Sequence, residues 1–122
     1  MSYECVVEDK CRGFIKDFDS FVEIWNKYGG FHDAALTGLE FDEEKEICIV
    51  KLRCYSYTIS LKFSRVHSLS AVMPDFPSSY FYYVAFYVKP YCNYGDCICM
   101  DADGELVQVI AEEMVVLEFK DL

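Results

Sequence analysis

A chain of 122 residues, 53% hydrophobic and 26% charged, can bury one core and is too short for two, so we read a single domain over residues 1–122. Its formal net charge is −10, and residues 66–122 set Lys89 and Lys120 against Asp75, Asp96, Asp101, Asp103, Glu105, Glu112, Glu113, Glu118 and Asp121, a balance of −7. Such a surface repels phosphate backbones, which argues against nucleic-acid binding and favours a basic protein partner.

No apolar run approaches the roughly 20 residues of a bilayer-crossing helix. The opening MSYECVVEDK has neither the basic nor the apolar region of an export signal. A cytoplasmic address without membrane contact is the expectation. The seven cysteines, an odd number, then read as buried thiols and not as a disulfide framework.

In chain order, the first predicted element is an amphipathic helix over residues 20–28. Ser20 and Glu23 stand at capping-box spacing, Phe21, Ile24, Trp25 and Tyr28 recur at helical offsets, and Gly29 occupies the place of a C′ glycine. After Gly30 the period changes to alternation. Ala35, Thr37, Leu39 and Phe41 share one face of a strand over residues 35–42, and Cys48, Val50, Leu52 and Cys54 share one face of the next. Ile59, Leu61 and Phe63 mark a third, antiparallel strand. MPDFPSS reads as a loop and YFYYVAFYVK as a strand apolar on both faces. The remainder reads as a hairpin around DADG, ending in a strand with Val115, Leu117 and Phe119 on one face. The fold class is therefore α+β: one N-terminal helix and a largely antiparallel sheet of about six to eight strands, either curved over the helix or folded as a small sandwich.

Five stretches bear on chemistry or recognition. His32 and Asp33 form a dipeptide in which a carboxylate could orient an imidazole. On an extended strand adjacent side chains diverge, so the expectation is a helix-to-strand corner with His32 capping the helix carbonyls and Asp33 accepting turn bonds. His67 has serines nearby but no nucleophile elbow, and reads as a surface or strand-end histidine. Cys92, Cys97 and Cys99 are weak metal candidates, because no CxxC pair is present. DADGE brings its glycine too early for a calcium loop and reads as a tight turn. The dense tyrosines from residue 80 to 94 are the most unusual feature, suited either to a core strand or to a recognition surface.

Helix, glycine pair, FHDA and LTGLEFD stand in that order. Over residues 18–42 the chain resembles small bacterial immunity proteins of polymorphic-toxin systems, most closely the immunity protein 50 family, built on an FHD element after an aromatic helix. The closing GELVQVIAEEMVVLEF is a looser echo. The resemblance implies an α+β domain without catalysis that binds a cognate toxin, with Phe31, His32 and Asp33 as the shared positions. Ala34, Ala35 and Leu36 depart from the polar residues frequent there.

The expected function is thus a non-enzymatic binding protein without cofactor or metal, which occludes a basic toxin through an acidic, tyrosine-rich surface. Its expected residues are Tyr82, Tyr87, Tyr91, Tyr94, Asp96, Asp101, Asp103 and Glu105. A small hydrolase or metalloenzyme using His32 and Asp33 is the first alternative. A homodimer paired through a sheet edge or the aromatic strand is the second.

Overall fold

A computed structural model describes residues 5–72, 81, 83–103 and 107–122. The strands are β1 Val6–Val7, β2 Ala35–Asp42, β3 Ile47–Arg53, β4 Tyr57–Ala71, β5 Val84–Pro90, β6 Asp96–Ala102 and β7 Val107–Asp121. A 3-10 helix covers Asp9–Gly13, and the α-helix α1 covers Phe18–Lys27. All seven strands belong to one sheet in the order β1-β5-β6-β7-β4-β3-β2, so the sandwich alternative does not hold. Among the described residues every strand pairing is antiparallel except that of β1 with β5, and an isolated parallel bridge joins Ile15 to Met114.

The two 15-residue strands carry the curvature. The first half of β4 pairs with β3 on one side and with the second half of β7 on the other, while β6 pairs only with the first half of β7. β4 and β7 are therefore shared by two staggered halves of the sheet. Irregularities between Ser60 and Leu61 and between Val66 and Ser68, with Arg65 at φ 53°, bend them.

Alternation sets the concave face. Cys48, Val50, Leu52, Ile59, Leu61, Phe63, Phe86 and Met100 are all at most 1% exposed and join Phe21 and Trp25 of α1 in one core. The helix starts two residues earlier than predicted, so Ser20 lies inside it. The capping box is not formed: Asp17 at the N-cap has φ 57° and makes no side-chain cap bond. α1 is also not the first element, being preceded by β1 and the 3-10 helix. Ile24 and Tyr28 are half-buried where burial was expected, because the sheet reaches mainly Phe18, Phe21 and Trp25.

The end of α1 follows its glycines closely. Gly30 N–H donates to Trp25 O (2.8 Å) and Gly29 N–H to Asn26 O (3.4 Å), the paired bonds of a Schellman stop, with Gly29 at φ 67°. The chain then turns through Phe31, which is fully buried, and Ala34 N–H returns to Phe31 O at 3.1 Å. Here the two flanks of the sheet meet: Asp33 N–H donates to Phe81 O and Phe81 N–H to Ala34 O, both at 2.8 Å. The FHDA stretch is a clasp that closes the curved sheet around the helix.

Two alternation readings fail where bulges interrupt them. The register of β2 slips between Leu36 and Gly38, so Leu36 joins Ala35 inside, Thr37 turns outward and Phe41 is 49% exposed. In β7, Val116 and Phe119 pack on the core while Leu117 is 52% exposed. The predicted MPDFPSS loop lies outside the described residues, as do residues 104–106 at the predicted DADG turn.

Candidate functional site

His32 and Asp33 do converge, contrary to the divergence expected on a strand. They occupy a turn, Asp33 has φ 65°, and His32 Nδ1 lies 3.0 Å from Asp33 Oδ2. Both side chains are more than half exposed, at 59% and 56%. His32 makes no bond to the helix carbonyls, which Gly29 and Gly30 take instead, and Asp33 contributes its backbone N–H to the clasp. The expectation of His32 as end-cap is corrected accordingly, while the Asp33 carboxylate stands opposite His32 within the turn. Phe31 is the structural member of the motif, with rings of Trp25 (4.8 Å), Phe21 (6.1 Å), Phe86 (6.1 Å) and Tyr57 (6.2 Å) around it.

The more organised cluster forms around His67, on the face of the sheet turned away from α1. His67 is the extra residue between Val66, opposite Ala111, and Ser68, opposite Ile110. The bulge re-aims its side chain. The imidazole is only 8% exposed, with Nε2 3.0 Å from Glu112 Oε2 on β7. Its ring lies flat on Tyr94, with centroids 3.7 Å apart and planes 12° apart, and Tyr91 is parallel to Tyr94 within 11° at 6.4 Å. Arg65, left-handed on the same bulge, places Nε 3.5 Å from Glu112 Oε1 and Nη2 3.3 Å from Glu113 Oε2. A cleft of about 600 Å³ opens beside these acids, lined also by Arg12, Lys16 and Asp17.

Tyr91 and Tyr94 come from the β5–β6 turn, which is held by Tyr91 N–H to Gly95 O (2.9 Å) and Tyr94 N–H to Tyr91 O (3.0 Å). Beneath it Cys97, Cys99 and Ile110 form a small second core with Tyr87 and Tyr91 against it. Tyr87 donates to Asp101 Oδ2 at 3.4 Å, and burial, followed by its hydrogen bond with Cys99, holds the phenol well above its ordinary range. Burial, then the charge of Glu112, raises the Cys97 thiol.

The structure thus brings Tyr87, Tyr91 and Asp101 to the side of the sheet that carries Cys97 and Cys99, with Tyr94 beside them on His67, whereas Asp96 is exposed at the start of β6 with the strand parity of Ile98 and Met100. Asp103 instead closes the next turn, accepting Tyr83 N–H at 3.0 Å. Tyr82 and Glu105 lie outside the described residues. Of the cysteine candidates, Cys97 and Cys99 are fully buried, while Cys92 is exposed in the tyrosine turn at φ 51°. Among the described residues no group of three or more His, Cys, Asp or Glu side chains is arranged to hold a metal.

The sequence reading took His67 for a surface or strand-end histidine, whereas it lies within β4 with its side chain 8% exposed, and it did not single out Glu112 or Arg65. Odd positions of β4 point inward as far as Phe63, and nothing in the composition marks where the bulge reverses that phase. The one available signal was Arg65 and His67 standing at positions that unbroken alternation would bury.

No family model, curated protein or solved structure matches the chain. Among the described residues no helix is long and apolar enough to cross a membrane.

Proposed function

We propose that the chain is a non-enzymatic binding protein, most concretely an immunity-type inhibitor that occludes a basic toxin through the β5–β6 corner. The observation that carries this reading is the gathering of Tyr87, Tyr91 and Tyr94 with Asp101 on one side of the sheet, in the most acidic part of the chain, with exposed Asp96 at the end of the same turn. Tyrosines offer large contact area with a polar tip, and surrounding carboxylates steer a cationic partner. The FHD resemblance supports the same class of function.

The test is native mass spectrometry of the tagged protein captured from its host lysate, followed by association kinetics with the captured partner. A stoichiometric complex with a basic protein is expected. Asp96→Lys with Asp101→Lys should slow association roughly fivefold or more and flatten its salt dependence. An acidic partner, or unchanged kinetics in the double variant, would remove this reading.

An enzymatic reading has one observation in its favour, and it lies away from His32: the His67–Glu112 pair beside the 600 Å³ cleft. A hydrolytic activity abolished by His67→Ala and retained by His32→Ala would establish it.

A further inference from the structure

We propose that the His67–Tyr94 stack is a seat for a guanidinium group, so that the basic partner is engaged through an arginine side chain. The inference rests on the binding reading above and adds the chemistry by which the corner would choose its ligand.

Tyr94 combines two properties that rarely coincide. It is 55% exposed, yet its ring is held flat on an imidazole at 3.7 Å, and that imidazole is itself 8% exposed and fixed to Glu112 at 3.0 Å. The bulge that presents His67 is braced in turn by Arg65 reaching Glu112 and Glu113. An exposed aromatic ring already immobilised by such a chain of contacts can bind with little further ordering cost.

The shape and charge of this platform select the ligand. A guanidinium is planar and weakly hydrated, so it can lie on a tyrosine ring while its edge N–H groups still reach carboxylates; an ammonium is a compact, strongly hydrated charge that cannot do both. Asp96 stands exposed two residues beyond Tyr94. Arg65 shows that the β7 acids beside this bulge accept guanidinium nitrogens at 3.3 to 3.5 Å. Tyr94 would touch the ligand; His67 is a positioning residue that holds Tyr94 in place.

The experiment uses the full chain and two probes of equal charge, blocked decamers of arginine and of lysine, titrated calorimetrically at near-physiological ionic strength. Arginine decamer is expected to bind about three- to fivefold more tightly than lysine decamer. Tyr94→Ala and His67→Ala should bring that ratio towards one, whereas His67→Phe, which keeps a flat ring under Tyr94, should preserve it. Tyr94 lies in an exposed turn, so its variant decides the matter even where His67→Ala fails to fold. Equal affinity of the two decamers for the unaltered protein overturns the guanidinium seat while leaving an acidic binding surface standing. A ratio unchanged in Tyr94→Ala also overturns it, and binding of neither decamer overturns both readings.

Discussion

Replacing Phe31 by alanine and, separately, His32 by alanine distinguishes the structural from the exposed half of the FHD element. Phe31 is fully buried and sits between α1 and the sheet, its ring packed edge-on to Trp25, Phe21 and Phe86. Truncating a buried phenylalanine removes its transfer energy and leaves a cavity whose walls relax only in part, a loss of about 3 to 5 kcal/mol. Against the usual total of about 5 to 15 kcal/mol, that is a large fraction of the stability of a domain this size. His32, by contrast, has among the described residues only Asp33 at 3.0 Å, and both side chains are more than half in water. An exposed pair of this kind contributes between about 0 and 1 kcal/mol, so His32→Ala should cost less than about 0.5 kcal/mol. Urea unfolding reads both, followed by circular dichroism because Trp25 touches the altered ring in Phe31→Ala. If Phe31→Ala cost less than about 1 kcal/mol while His32→Ala cost more, the reasoning that places the clasp on Phe31 and the backbone would be wrong.

Gly29 and Gly30 should respond unequally to alanine. Gly29, at φ +67° with open space where a methyl would stand, should lose about 1 kcal/mol through backbone strain, whereas at Gly30 a Cβ would lie 2.7 Å from Cys5 Cβ and 3.2 Å from Trp25 Cζ2, adding overlap to strain for a loss of at least about 2 kcal/mol in the same urea assay. Stability should also fall above about pH 9. Burial pushes the Cys48 thiol up to about 11, and burial with the nearby Glu8 charge pushes Cys11 up to about 12, so in this window the folded chain keeps protons that the unfolded chain has released. Each thiol then removes about 1.4 kcal/mol per pH unit until its folded value is reached, and Cys48→Val should lessen the slope of the urea midpoint between pH 9 and 11. Among the described cysteines, exposed Cys92 should be alkylated first, with fully buried Cys11, Cys48, Cys97 and Cys99 reacting only as the chain opens, as peptide mass mapping over time would show.

Much of the fold was legible because local pattern and final burial agree. Cys48, Val50 and Leu52, then Ile59, Leu61 and Phe63, alternate in sequence and are buried in the sheet, and the glycine pair stops α1 by the bonds such a pair makes best. Other features depend on contacts between distant parts of the chain. β1 has two residues and pairs in parallel with β5, an arrangement with no local signature. Likewise, the backbone bonds joining Asp33 and Ala34 to Phe81 span nearly fifty positions and involve no side chain chemistry. The FHDA stretch was visible as a corner, but its role as the closure of a curved sheet was not.

The candidate site shows why bulges conceal function from a one-dimensional reading. Alternation is a parity rule, and one inserted residue inverts it for everything that follows. On β4 the slip between Val66 and Ser68 returns Leu69 to the core side, opposite Val109, and leaves His67 on the other face beside Glu112. Arg65, two positions before the slip and itself left-handed at φ 53°, reaches Glu112 and Glu113, so this irregular stretch of β4 assembles the only imidazole–carboxylate–guanidinium network among the described residues. Tyr94, 27 positions away, completes it through a turn whose own conformation depends on Gly95 at φ +79°. Tyrosine density and acidic charge singled out residues that the fold sets at the β5–β6 turn; what could not be read was the bulge-borne histidine on which one of those exposed tyrosines lies flat.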